Sequence, residues 1–235
     1  MMRRPLAIDL FCGLGGWADG LLAEGWDVVG FDIERHQYGE HRYPTQLVIQ
    51  DVLTLHGSQF KDAALIVASP PCQEYSYMAM PWKRAKAKAA AIRADETGQM
   101  LADLNRLFDA CFRIQAQASL AAGRHIPMVV ENVRGAIPWV GRSRWNFGSY
   151  HLWGDVPALM PWTAAQKVPG FRFDGSGRSF QTASVGAKFS IARNVTKANR
   201  DPAASAHGAA RKAASAMIAK IPLALATHVA AVYRP

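Results

Sequence analysis

Three short stretches hold the residue types that can do chemistry. In Ser69-Pro70-Pro71-Cys72-Gln73, a thiol directly follows an apolar run, Ala64-Leu65-Ile66-Val67-Ala68, that reads as a buried strand. The two prolines stop the strand, because each removes a backbone donor and fixes φ. A cysteine so placed sits at the carboxyl end of a strand, the edge of an open α/β sheet where ligands bind. The same residues also suit a structural thiol in a turn. Glu131-Asn132-Val133 closes a second apolar run, Pro127-Met128-Val129-Val130, and brings an acid to the same edge. Cys12-Gly13-Leu14-Gly15-Gly16 joins a strand-like Leu6 to Phe11 to a helical pattern from Trp17 to Glu24. Strand, glycine turn and helix form the layout of a nucleotide or nucleoside site, since glycines admit close backbone approach and a helix start offers free amides. The spacing is short of the full dinucleotide fingerprint, and ordinary tight turns use the same residues.

The elements that must position these groups follow in order. Trp26 to Phe31 reads as a second strand closed by Asp32, with Ile33 and Glu34 after it. An acid there can hold the two hydroxyls of a ribose or cap the next helix. Leu47 to Gln50 is a third short strand, ending in Asp51-Val52, where Asp51 can accept from an adenine amino group or merely cap. The run before Cys72 is the fourth strand and that before Glu131 the fifth. Between them, Met100 to Ala122 has helical spacing with Cys111 on its core face. This alternation predicts a mostly parallel, doubly wound α/β sheet. After Arg134 the alternation stops. Trp145 to Trp153 reads as one more strand, 154–201 as an irregular region of aromatics interleaved with basic residues, and Met217 to Val232 as a helix broken or started near Pro222.

The chain has 235 residues, a formal charge of +9 and a pI near 9.7. Such a charge points to nucleic acid first and an anionic membrane surface second. Lys83, Arg84, Lys86, Lys88 and Arg93 stand among alanines soon after Cys72, as a solvated basic helix or as a segment laid against phosphates. Three cysteines without metal-ligand spacing argue for a reducing compartment and against a disulfide framework. Neither a signal peptide nor a stretch long enough to span a bilayer is evident.

Asp9-Leu10-Phe11-Cys12-Gly13-Leu14-Gly15-Gly16, then Ser69-Pro70-Pro71-Cys72-Gln73 with Ser76, then Glu131-Asn132-Val133, resemble the DNA cytosine-5 methyltransferases, as a short prokaryotic or phage-like member. The resemblance covers residues 5 to about 153 and is poor beyond. It implies a Rossmann-like S-adenosylmethionine-dependent fold: a catalytic and cofactor-binding domain over 1–153, a short irregular target-recognition region over 154–205, and a C-terminal helix over 206–235 that returns to the catalytic domain. It implies transfer of a methyl group from S-adenosylmethionine to C5 of a flipped-out cytosine in double-stranded DNA, leaving S-adenosylhomocysteine, with no metal. Cys72 would add to C6, in an electropositive setting that lowers its pKa. Glu131 would bind the N3 and N4 edge. Arg142 and Arg144 match two arginines of a later motif, although the glutamine before them is missing and they follow Glu131 far more closely than usual; phosphate contact or plain surface charge explains them equally. Phe11, Gly13, Leu14, Gly15, Asp32, Ile33, Asp51, Val52 and Pro71 match the cofactor pocket. Ser69, Gln73, Ser76, Asn132 and the basic Lys83, Arg84 and Lys86 match the substrate side. The resemblance further suggests a monomer in the cytoplasm of a bacterial cell or phage-infected host, with a restriction-modification role among its settings.

Two departures remain. The recognition region is short, which suggests a short or relaxed target or help from another chain. Before Pro222, Ala219 or Lys220 stands where the family has an asparagine of the cofactor pocket. Lys220 is either a tolerated change or a cation that favours a cofactor donating an anionic group. The same chemistry on tRNA, a catalytically inert DNA- or partner-binding relative, and a small-molecule methyltransferase are the competing readings. The pair Cys72 and Glu131 speaks against an inert relative, and the basic charge against a small-molecule enzyme.

Overall fold

A computed structural model describes residues 3–76, 82–160, 216–217 and 219–235. The proposed recognition region lies outside the described residues from 161 onward, as does the alanine-rich stretch up to 215. The chain runs β1 (Leu6–Leu10), α1 (Gly16–Ala23), β2 (Asp27–Asp32), β3 (Gln37–Tyr38), β4 (His41–Arg42), β5 (Gln46–Ile49), β6 (Leu65–Ala68), α2 (Trp82–Ala94), α3 (Gln99–Ala122), β7 (Met128–Val133), α4 (Ile137–Val140), β8 (Trp145–Phe147), β9 (Tyr150–Gly154) and α5 (Leu223–Tyr233). Seven strands form one sheet in the order β5-β2-β1-β6-β7-β9-β8. The first five in that order are parallel; β9 runs antiparallel to β7, and β8 antiparallel to β9. Winding reverses between β1 and β6, so the carboxyl ends of these strands flank the switch point where such sheets bind ligands. The predicted doubly wound sheet is thus present.

Both faces of the sheet are covered, which explains why β6, Leu-Ile-Val-Ala, is apolar throughout and fully buried. On one face Ile8, Leu10, Ile66, Met128 and Val130 meet Phe108, Cys111 and Ile114 of α3. On the other, Ala7, Val28, Leu65, Val67 and Val129 meet Trp17 and Leu21 of α1 and Leu225, Ala226 and Val229 of α5. The Trp26 indole donates to the carbonyl of Ala230 (3.2 Å), fastening α5 to the start of β2. Gly16 must be glycine: a Cβ there would lie 2.3 Å from the backbone nitrogen of Ile221. The approach to α5 therefore lies directly against the glycine turn.

Three sequence expectations change. Glu131 lies inside β7, two residues before its end, because the β9 pairing extends through Val133. Trp145 to Trp153 is not one strand but a hairpin, since Gly148 adopts φ 59 between β8 and β9. The small β3–β4 hairpin was not expected; its strands are only two residues each and carry no alternating apolar pattern. No described helix is long and apolar enough to cross a membrane.

Candidate active site

The Cys72 loop leaves β6 through Ser69 and two prolines. The amides of Tyr75 and Ser76 donate back to the Cys72 carbonyl (3.1 and 2.9 Å), closing a turn around the thiol. Two side chains hold this loop from outside. The Trp17 indole in α1 donates to Ser69 Oγ (3.0 Å). Asn132 Nδ2 in β7 donates to the Pro70 carbonyl (2.9 Å). A Cβ on Gly135 would lie 2.2 Å from the Tyr75 carbonyl, so the turn after β7 packs on the thiol loop. The loop is thereby fixed by α1, β7 and the following turn together.

Glu131 shares a sheet face with Val129 and its β9 partner Leu152, both in the core under α1 and α5. It is buried. Burial pushes its carboxyl up to about 8, against a smaller opposing effect of a hydrogen bond with Ser69. At neutral pH it is therefore a protonated acid, able to donate. Cys72 is half-buried. Its thiol is pushed up, by burial first and by the Glu131 charge second. The expected electropositive setting that lowers the thiol is not found among the described residues; desolvation dominates. With Glu131 protonated, its contribution to that rise disappears. The other thiols, Cys12 and Cys111, are buried and raised, as suits structural cysteines.

At the neighbouring strand ends, Asp32 Oδ2 accepts from the Gly13 amide (2.9 Å) and Oδ1 from the Glu34 amide (3.3 Å), with His36 Nε2 3.4 Å away. Burial alone would raise this carboxyl, but His36 and the two amides hold it below its usual range, so it is ionised. Ile33 beside it is 69% exposed, an apolar surface next to a carboxylate at a strand end. Phe11 is half-buried at φ 55, a strained conformation for a non-glycine residue. Leu14 and Gly15 are buried, Gly13 half-buried, and a Cβ on Gly13 would meet nothing within 4 Å. Ionised acid, exposed aliphatic side chain and open backbone suit a nucleoside. Asp51 accepts from the Leu53 amide (2.9 Å) and thus caps a 3-10 turn, while Val52 is buried in the α3-side core. Pro71 is exposed beside the thiol.

Sequence reasoning did not single out Trp17, His36, Tyr43, Tyr150 or His151. Tyr43 donates to buried Asp9 (3.3 Å), and Tyr150 to the Lys220 carbonyl (3.2 Å). These contacts join distant parts of the chain, and only His36, four residues after Asp32, had a local signal. Lys220 Nζ forms an ion pair with Asp19 Oδ2 of α1 (2.7 Å). Its charge is thereby committed within the chain, which favours the tolerated-change reading over recognition of an anionic donor. Lys83, Arg84 and Lys86 are exposed along α2, whose other face buries Ala85, Ala89 and Ile92. Gln73 is exposed and Ser76 half-buried at the rim of the thiol loop. Arg142 and Arg144 are exposed in the turn before β8, in a cleft that also includes Ser76.

Several comparisons bear on this geometry. No curated protein matches the sequence. Solved structures similar to the chain include a putative DNA modification methyltransferase encoded within an E. coli prophage (23% identity, TM-score 0.37, covering 57% of this chain and 33% of that one). They also include the S. pombe Dnmt2 methyltransferase (16% identity, TM-score 0.35, covering 57% and 36%) and the Entamoeba histolytica methyltransferase EhMeth (18% identity, TM-score 0.33, covering 57% and 39%). The chain thus spans little more than a third of the length of these structures. The family model for C-5 cytosine-specific DNA methylase matches residues 6–107, which include the glycine turn, Asp32, Asp51 and the Cys72 loop but stop short of Glu131.

Proposed function

We propose that the protein transfers a methyl group from S-adenosylmethionine to C5 of a cytosine in DNA through a transient bond between Cys72 and C6. The observation that carries the reading is the pairing of a loop-held thiol with a buried acid that keeps its proton to about pH 8. Cytosine C5 is a poor nucleophile until C6 has been attacked. Glu131, protonated, donates to N3 of the base, which withdraws electrons from C6 as the Cys72 sulfur attacks. The Sγ–C6 bond forms and its electron pair moves onto C5. S-adenosylmethionine supplies an electrophilic methyl group for that carbon. Loss of the C5 proton to a base and departure of the sulfur then restore the aromatic ring. Asn132 and Trp17 keep the thiol loop in register through Pro70 and Ser69. The reacting atoms are out of reach in a stacked duplex, so the base must leave the helix.

The test is incorporation of labelled methyl groups from S-adenosylmethionine into duplex DNA and, separately, into unmodified tRNA, by the native chain and by Cys72→Ala. The expected result is label in DNA, recovered as 5-methylcytosine on nucleoside mass spectrometry, and none with Cys72→Ala. Label in tRNA alone would move the substrate to RNA. Label in DNA from Cys72→Ala would remove the covalent step, and 5-carboxymethylcytosine formed when carboxy-S-adenosylmethionine is supplied alongside S-adenosylmethionine would restore the anionic-donor reading of Lys220.

A further inference from the structure

The connection from β2 to β5 is tied at both ends to the strands that border the glycine turn. At its far end the Tyr43 ring lies over Gly30 of β2, where a Cβ would stand 2.4 Å from Tyr43 Cζ. The Tyr43 hydroxyl reaches Asp9, the register partner of Gly30 in β1 (3.3 Å). Pro44 lies against Gly15 of the glycine turn, and Thr45 Oγ1 donates to the Val28 carbonyl (3.3 Å). Two glycines thus make room for this end, and burial of the Tyr43 ring fixes it. Between the two ends, Gly39 at φ 61 turns the short β3–β4 hairpin.

At the near end, His36 stands directly before β3 with its imidazole against Asp32. Nε2 lies 3.4 Å from Asp32 Oδ1. On the other side of the ring, Nδ1 lies 3.4 Å from the Tyr38 hydroxyl and 3.6 Å from Glu34 Oε1. The imidazole is therefore held between the first strand of the hairpin and two carboxylates. With its proton on Nε2 it donates to Oδ1, which also accepts from the Glu34 amide, while Oδ2 accepts from the Gly13 amide. A carboxylate has about four acceptor positions, so these donors, the three found among the described residues, leave one on Oδ2 for a ligand. An exposed ion pair of this kind would contribute little. The Asp32 side chain, however, is only 10% exposed and is already gripped by two amides. A further donor on Oδ1 sets which oxygen is offered to a ligand, and does so before the ligand arrives.

We propose that His36 is a positioning residue of the nucleoside site: held by the β3–β4 hairpin, it fixes the Asp32 carboxylate so that Oδ2 accepts a ribose hydroxyl, and it thereby favours a ribonucleoside over a deoxy counterpart. That the nucleoside is the adenosyl part of S-adenosylmethionine rests on the reading under Proposed function. The alignment of Asp32 stands on the contacts of His36.

The experiment is isothermal titration calorimetry of the full chain with S-adenosylhomocysteine and with its 2′,3′-dideoxy analogue, which keeps the base and the amino-acid tail but has no ribose hydroxyl. His36→Ala should weaken binding of S-adenosylhomocysteine by about 10-fold, the scale of a hydrogen bond to a charged group. Binding of the analogue should change by less than about twofold, since the analogue gives Asp32 nothing to accept. His36→Gln, whose amide nitrogen can take the place of Nε2, should restore most of the native affinity. Equal losses for both ligands would reduce His36 to a support for the shape of the pocket and overturn the proposal. So would native affinity in His36→Ala, no recovery in His36→Gln, or a native chain that binds both ligands alike. None of these measurements needs methyl transfer. A ribose-dependent loss in a chain that transfers no methyl group to cytosine would leave His36 in its role and refute the proposed reaction. Methyl transfer to cytosine with a ribose-independent loss would do the reverse, and a native chain that binds neither ligand would overturn both.

Discussion

Replacing Glu131 with glutamine gives a stability change whose size follows from burial. A glutamate ordinarily titrates near 4.5, and this one is pushed up to about 8. Below 4.5 both the folded and the unfolded chain hold the proton, so the residue costs nothing. Between those values the unfolded chain releases the proton while the folded chain keeps it. Stability then falls by about 1.4 kcal/mol for each pH unit. Above about 8 both forms are ionised and the penalty is complete. Over the whole interval it amounts to about 5 kcal/mol, an upper bound because a buried site relaxes when it ionises. Glu131→Gln is nearly isosteric, keeps hydrogen-bonding capacity toward Ser69, and cannot ionise. Urea unfolding followed by tryptophan fluorescence at pH 5, 7 and 9 measures the difference. The variant should match the native chain at the acid end and become progressively more stable relative to it toward pH 9. If the two unfolding free energies run parallel across that range, Glu131 is not a buried acid with a raised pKa, and the reasoning fails. The same variant should lose methyl transfer by about 100-fold or more, the scale of a general acid.

Other expectations concern the neighbouring groups. The rate of methyl transfer should peak in the alkaline range: the raised Cys72 thiol favours higher pH while Glu131 must keep its proton, so a profile of kcat/KM is expected to fall on both sides of a maximum near or above pH 8. A maximum below pH 6 would contradict those directions. Gly16→Ala should cost about 1–3 kcal/mol, because its Cβ meets the Ile221 backbone, which cannot turn aside. Gly13→Ala meets no atom and should cost only about 1 kcal/mol, for its positive φ; thermal melts of the two variants give the comparison. Asp32→Asn should weaken S-adenosylmethionine binding by calorimetry. It should also flatten the acid limb of stability, since the contribution of the lowered carboxyl is present above its unfolded pKa and is lost as pH falls through its folded one.

The central strands were legible because each is buried on both faces and therefore apolar in sequence, β6 most plainly. The thiol loop and glycine turn were legible because prolines and glycines mark strand ends locally. Glu131 was found as an acid near a strand end, but its place inside β7 depends on pairing with β9, which no local pattern encodes. The raised Cys72 thiol was missed for the same reason: burial and the nearby Glu131 come from distant segments. Asp51 shows the opposite case, where a residue open to two readings caps a turn in the structure.

The most direct measurement uses duplex DNA in which the target cytosines carry fluorine at C5. After methyl transfer the ring has no C5 proton to lose, so sulfur cannot depart and the adduct persists. Denaturing electrophoresis with S-adenosylmethionine present should show protein fixed to DNA, and peptide mass spectrometry should place the nucleotide on Cys72. Cys72→Ala should give no such species. Methyl transfer to ordinary cytosine without any trapped adduct, or an adduct on another residue, would contradict nucleophilic attack by Cys72.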